Sequence, residues 1–384
     1  MNILTLNKIS PVGTKEFGSG YNVSDSCDAP DAIMVRSASM HEMEMPESLL
    51  AIARAGAGVN NIPVSACAEK GIVVFNTPGA NANAVKELAI ASLLLASRDI
   101  IGGIAWAKTL SGDDVAKQVE KGKSNFAGHE ISGKTLGVVG LGAIGVNVAN
   151  AAYALGMKVL GYDPYISLKS AWNLSSHISK AATLDEIYEN CDIICIHAPL
   201  TDETKHFVNA ESISKMKDGV VVINLSRADL VNDADIAKAL EDGKAAKYIT
   251  DFPNANTIKM KNCISIPHLG ASTEESEDNC AYMAAHELID YLENGNIVNS
   301  VNFPNVEMPK ASAVRICVFH QNVPAVLSKI SSVISSQNIN IANMINKSKG
   351  DFAYTMIDCD ENITDETVSL LKNIEGVVRI RVIK

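Results

Sequence analysis

Short apolar runs that end at a charged or polar residue alternate with longer amphipathic stretches along most of the chain. Asp31–Arg36 (DAIMVR) and Gly71–Phe75 (GIVVF) read as strands, and Ala84–Ile101 reads as one long, mostly apolar helix carrying Val85, Leu88, Ile90, Leu93 and Leu94. A polar stretch rich in Gly, Lys and Asp, Ser111–Gly133, marks a nearby domain boundary. Strand and helix alternation then resumes, with strands at Thr135–Val139, Lys158–Tyr162, Asp192–His197, Val220–Asn224 and Cys263–Ile266, followed by a helix over Glu274–Leu292. Two such regions predict two doubly wound α/β domains. Beyond the asparagine- and proline-bearing NGNIVNSVNFPNVEMPKAS the pattern changes style. Val314, Ile316 and Val318 alternate on one face, and Asn322 and Pro324 open an amphipathic helix with Leu327, Ile330, Val333 and Ile334. Two strands flank a turn at Gly350, Thr364 starts a second helix that ends near Gly376, and VVRIRVIK closes the chain. That order, βαββαβ, is ferredoxin-like.

The expected architecture is therefore α/β: two Rossmann-like domains and a C-terminal ferredoxin-like domain. Residues 1–97 with 270–303 form one lobe, 98–269 the second, 304–311 a linker and 312–384 the last domain. At 384 residues, with 47% apolar and 20% charged, the chain is long enough for several cores and far from the composition of disorder. A net charge of −11 excludes generic attraction to nucleic acid or to an anionic membrane, so any pocket for an anion has to be built from particular arginines. The opening MNILTLNKIS lacks a signal pattern, and no apolar run approaches the ~20 residues of a membrane span. A cytoplasmic protein without membrane partners is expected. Eight cysteines without C-x-x-C spacing read as reduced and mostly buried, and no metal site is expected.

One motif carries chemistry by itself. TLGVVGLGAIG places Gly140, Gly142 and Gly145 in G-x-G-x-x-G directly after a strand and at the start of a helix. The first glycine permits the tight turn, the second lets a pyrophosphate approach the backbone, and the third allows close packing of helix on strand. Asp163 follows 21 residues after Gly142, at the end of KVLGYD, where a carboxylate accepts the ribose hydroxyls. The next residues, Pro164, Tyr165 and Ile166, offer nothing to hold a 2′-phosphate, so the expected cofactor is NAD rather than NADP.

With GLGAIG, HAPLTDETKHFVN from His197, VVINLSRADLV around Arg227 and IPHLGAST around His268 in this order, the chain resembles the D-2-hydroxyacid dehydrogenase family. VRSAS, ARAGAGVNNI and VFNTPGANANAVKELA resemble its 3-phosphoglycerate-oxidising branch. The resemblance implies oxidation of D-3-phosphoglycerate to 3-phosphohydroxypyruvate at the head of the phosphorylated route to L-serine. His268 would take the hydroxyl proton and Arg227 would orient the substrate carboxylate, as general acid–base chemistry and bidentate recognition require. It assigns Gly140, Gly142, Ala143, Ile144, Gly145, Asp163, His197, Pro199, Thr204, Ser226, Asp251 and Gly270 to the cofactor, and Arg36, Ser37, Arg54 and Asn81 to the substrate. The family's glutamate that hydrogen-bonds the catalytic histidine is absent: Asp251 is the only acid between Asp242 and Glu274, and Asn256 falls near the missing position. Either Asp251 shifts to serve His268, or an asparagine or water orients it, or the enzyme works with a less basic histidine; the last two are favoured.

HQNVPAVLSKI resembles the ACT regulatory domain, which implies L-serine as an effector held by His320, Asn322 and Asn340 across a paired-domain interface. Ala325 stands where that domain commonly has glycine. A homodimer or homotetramer is expected. Two rival readings remain: another 2-hydroxyacid dehydrogenase, acting on glyoxylate, hydroxypyruvate or 2-oxoglutarate, and a non-catalytic NAD-sensing scaffold.

Overall fold

The computed structural model describes residues Met1–Lys384 and divides into two compact units, Met1–Asn81 with Glu274–Lys384, and Ala82–Thr273. In the first unit β1 (Asn2–Leu6), β2 (Asn22–Ser24), β3 (Ala32–Val35), β4 (Ala51–Arg54) and β5 (Val73–Asn76) form a parallel sheet in the order β2-β1-β3-β4-β5. A parallel strand covered on both faces needs apolar residues at successive positions, and all four residues of β3 are buried. The helix Glu274–Asn294 brings the chain back to this sheet and buries Ala281, Ala284, Ala285, Leu288 and Leu292 in the same core.

The second unit holds seven parallel strands: β6 (Thr135–Val139), β7 (Lys158–Tyr162), β8 (Ser179–Lys180), β9 (Ile193–Ile196), β10 (Val220–Asn224), β11 (Ala245–Thr250) and β12 (Cys263–Ser265). Their order, β12-β11-β10-β9-β6-β7-β8, reverses between β6 and β9, and the carboxyl ends of strands at such a reversal form the binding crevice of doubly wound folds. The single helix expected over 84–101 is two helices, Ala82–Ser97 and Ile100–Ala107, bent by 70°. Asp99 makes the break by accepting the Gly102 amide and capping the second helix. The first helix packs Val85, Ala89, Leu93 and Ala96 with Val148, Ala149 and Ala152 of the nucleotide fold, which is why the first division falls at Asn81 and not at 97; the second falls at Thr273, where the pattern suggests 269. The polar stretch before β6 contains a helix of its own, Val115–Gly122. No single helix is long and apolar enough to cross a membrane.

The C-terminal sheet, β13 (Val314–Gln321), β14 (Ile341–Lys349), β15 (Phe352–Cys359) and β16 (Val377–Ile383), is antiparallel in the order β14-β15-β13-β16, with helices Val326–Ser336 and Asp365–Lys372. Val314, Ile316 and Val318 face those helices, as the alternation predicts. The opposite face of β13 is also buried: Cys317 and Phe319 join the core that holds β3, β5 and the helix Glu274–Asn294. One strand thus closes two cores. Residues 304–311, expected as a linker, contribute buried Val306, which pairs with Ile297, because this segment is walled in by both sheets. All eight cysteines carry free thiols, and all but Cys27 and Cys263 are buried.

Candidate active site

The glycine loop sits at the carboxyl end of β6. Gly140 has φ +93° and a side chain there would lie 2.6 Å from the His197 carbonyl, while one at Gly145 would lie 1.9 Å from the Gly140 carbonyl. At Gly142 the same construction meets nothing within 4 Å, so the loop is tight beneath two glycines and open in front of the middle one. No side chain caps the helix Ala143–Ala154, leaving its first amides, those of Ala143 and Ile144 included, to face that opening. Asp163 closes the far side: one carboxylate oxygen accepts the Leu141 amide at 2.8 Å and the other the Tyr165 amide at 2.8 Å. This cradle fits the pyrophosphate and ribose of a dinucleotide.

Neighbouring strand ends supply the remaining polar groups of this unit. After β9, Nε2 of His197 lies 3.1 Å from the Cys195 thiol, and its buried Nδ1 has no partner. Burial pushes this histidine down to about 4, so it is neutral at physiological pH. The loop continues through exposed Pro199 to Thr204, whose hydroxyl donates to the Pro199 carbonyl at 2.6 Å. After β10, buried Asn224 accepts the Ser226 amide and donates to the Arg227 carbonyl, and the Ser226 hydroxyl donates to the Ile196 carbonyl. This brace presents the exposed Arg227 side chain, one terminal nitrogen of which donates to the Ser226 carbonyl at 2.7 Å. Asn224 carries no sequence signal beyond an amide at a strand end beside a motif arginine.

After β11, Asp251 is buried. Burial pushes its carboxyl up, the charges of His268 and Arg227 and the Gly270 amide oppose that rise, and its Oδ1 has no hydrogen-bond partner. His268 stands at φ +44°, a left-handed backbone with its amide donated to the carbonyls of Asp251 and Ile266, and its exposed ring lies tilted against Phe252 at 5.0 Å. Asn254 and Asn256 turn to Asp233, at 2.9 and 3.5 Å, so Asn256 serves Asp233 and not His268. An aromatic face, with a buried carboxylate acting through charge, occupies the surroundings of this histidine.

The first unit carries its own strand-end cluster. Arg36 follows β3 and Arg54 ends β4, and Nε of Arg54 donates to the Arg36 carbonyl at 3.1 Å. Gly56, at φ +146°, is what admits that guanidinium, since a side chain there would lie 1.6 Å from Nη1. Ser37 is exposed, its amide held by the Asn7 side chain, and Asn81 directly precedes the helix Ala82–Ser97.

The three residues expected to hold an effector are not gathered within one chain. His320 is 4% exposed, with Nδ1 on the Gln321 carbonyl and Nε2 near Thr355 and Asn346. Asn322 donates to the Gly350 carbonyl at that same end of the sheet, and Asn340, bonded to Asp360 and Glu361, lies at the opposite end, beside the start of β14. Asn322 is not the helix cap either, because the helix Val326–Ser336 starts after Ala325. No three His, Cys, Asp or Glu side chains come together as a metal-holding group.

Residues 91–270 match the family model of the D-isomer specific 2-hydroxyacid dehydrogenase NAD binding domain. Over 356 residues the chain is 31% identical to D-3-phosphoglycerate dehydrogenase of Haemophilus influenzae, covering 89% of this chain and 83% of that one. It is also 31% identical over 350 residues to the Escherichia coli D-3-phosphoglycerate dehydrogenase, covering 88% and 82%. Among solved structures it is similar to NAD+-bound 3-phosphoglycerate dehydrogenase of Entamoeba histolytica, with a TM-score of 0.59 and 27% identity over 79% of this chain and 98% of that chain.

Proposed function

The chain belongs to the D-isomer specific 2-hydroxyacid dehydrogenases and is an NAD-dependent oxidoreductase, and on that premise we propose that it oxidises D-3-phosphoglycerate to 3-phosphohydroxypyruvate. The observation that carries the reading is the pair of arginines at adjacent strand ends, Arg36 and Arg54, held together by the hydrogen bond from Arg54 to the Arg36 carbonyl. A substrate with both a carboxylate and a phosphate needs more cationic donors than Arg227 supplies, and guanidinium is the group best matched to both anions. Ser37 and Asn81 add neutral donors.

Gly140, Gly142, Ala143, Ile144, Gly145, Asp163, His197, Pro199, Thr204, Ser226, Asp251 and Gly270 would hold NAD, which would supply the hydride acceptor. Arg227 holds the substrate carboxylate and neutralises charge growing on the reacting oxygen. His268 accepts the hydroxyl proton on whichever ring nitrogen faces it, the ring being steadied by Phe252 in place of a hydrogen-bonded carboxylate.

The C-terminal sheet is read as an ACT domain that binds L-serine between two copies of the chain in a homodimer or homotetramer, making this the feedback-regulated first step of a cytoplasmic route to serine. Antiparallel pairing of two β14 edges about a two-fold axis brings the Asn340 end of one copy to the Asn322 end of the other, some nine residues or about 30 Å along the strand. Initial rates of NADH formation from D-3-phosphoglycerate, with and without L-serine, test both parts. Turnover confined to glyoxylate, hydroxypyruvate or 2-oxoglutarate would overturn the substrate, and serine-insensitive turnover would overturn the regulation.

A further inference from the structure

Arg36 enters the strand-end cluster already attached to something. Its Nη2 lies 2.5 Å from Oε1 of Glu277, and no second partner engages its Nε or Nη1. Glu277 belongs to the first turn of the 21-residue helix Glu274–Asn294, whose next turns are buried through Cys280, Ala281 and Ala284. Its carboxylate therefore projects from a rigid base. Arg36 projects from the end of a fully buried strand, but its side chain is 40% exposed and has several rotatable bonds. Held by one terminal nitrogen, the guanidinium keeps the rest of its fork for an incoming anion. The neighbouring acid, Asp278, is engaged by the Ser10 hydroxyl.

We propose that Glu277 is a positioning residue for the substrate's phosphate: it fixes Arg36 through Nη2 so that the remaining donors are set before the substrate arrives. Prepaid ordering of a long side chain strengthens binding without altering the chemical step, so it acts on KM and not on kcat. The inference rests on reading Arg36 as a substrate residue.

The test is a double-mutant cycle with D-3-phosphoglycerate as the varied substrate. Because the pair is partly exposed, Glu277→Ala raises KM about 5-fold with kcat unchanged, while Glu277→Gln, which still accepts a hydrogen bond from the guanidinium, recovers most of the loss. Arg36→Gln raises KM further, and adding Glu277→Ala to it has no additional effect. A KM that falls in Glu277→Ala would make Glu277 a competing anion, and an unchanged KM would make the pair a surface contact; either overturns the proposal. If Arg36→Gln itself leaves KM unchanged, the assignment of Arg36 to the substrate is what fails.

Discussion

The carboxyl ends of the parallel strands and the inner face of the C-terminal sheet use the same residue types to opposite ends. On that inner face Arg315 is fully buried, bidentate to Asp358 at 2.6 and 2.9 Å, with its remaining terminal nitrogen on the Asn294 carbonyl. Arg379 donates to the carbonyls of Leu49 and Glu47, and Arg381 to those of Tyr291 and Leu292 while lying over the Tyr291 ring. His320, in the same sheet, has both ring nitrogens in hydrogen bonds. At the strand ends, Arg36 and Arg227 each engage a single terminal nitrogen, and the His268 ring stands exposed against Phe252. Saturated donors build architecture; donors left open toward water stay available to a ligand.

Substitutions should separate the two groups. The largest effect is expected at His268: His268→Asn lowers kcat/KM by about 10²- to 10⁴-fold while Tm stays put, whereas His320→Asn lowers Tm and leaves the rate per folded molecule intact. A rate lost through His320→Asn at unchanged Tm would dissolve the distinction.

Next comes Asp358→Ala, which strands the buried Arg315 charge and should destabilise the first unit by about 3–5 kcal/mol in urea unfolding. Burial alone would raise the Asp358 carboxyl; the bonds from Arg315 and the Ala311 amide hold it below its usual range, so this stability is lost as pH falls through that depressed value. A loss under 1 kcal/mol, the range of exposed pairs, would place Arg315 with Arg36.

Glu287 lies between the classes, 9% exposed, with one oxygen accepting Asn299 at 2.8 Å and the other unpartnered. Burial pushes it up to about 8 against an ordinary 4.5, so the native state keeps a proton that the unfolded chain has released. Its contribution to stability is full below about 4.5 and is lost as pH rises through about 8. Glu287→Gln should therefore raise Tm at pH 9 by about 2–4 °C and change little at pH 5; equal shifts at both pH values would deny the titration. The smallest effect belongs to Ala325, which adopts φ +69°: Ala325→Gly should stabilise by about 1 kcal/mol.

Parts of this were legible in the sequence because the physics is local. Gly140 is required by a left-handed backbone and Gly145 by close packing on the Gly140 carbonyl, Gly142 keeps the front of the loop open, and Asp163 follows at the fixed length of one helix and one strand. The alternation at Val314, Ile316 and Val318 announced one buried face correctly. It hid the other, because Arg315 between them looks like a solvent residue until Asp358, 43 positions away, is seen to neutralise it. The break at Asp99 was masked by apolar residues continuing through Ile100 and Ile101. Asn256 was assigned by position in a motif, and its partner Asp233 sits on a helix that no local pattern connects to it. Glu277 was invisible for the same reason: an acid in a helix's first turn is ordinary until the distant arginine is placed beside it.

The strand that closes two cores also sets an order of events on the ribosome. Ala82–Thr273 is contiguous and has all its strands once residue 273 has emerged, but the sheet of β1–β5, made first, keeps apolar surface open until the helix Glu274–Asn294 and then β13 are synthesised. At about 5–20 residues per second the earliest segment waits on the order of tens of seconds for its cover. β13, made later, thus covers a sheet made earlier, and a nascent chain halted before β13 exposes the sites where Cys317 and Phe319 belong.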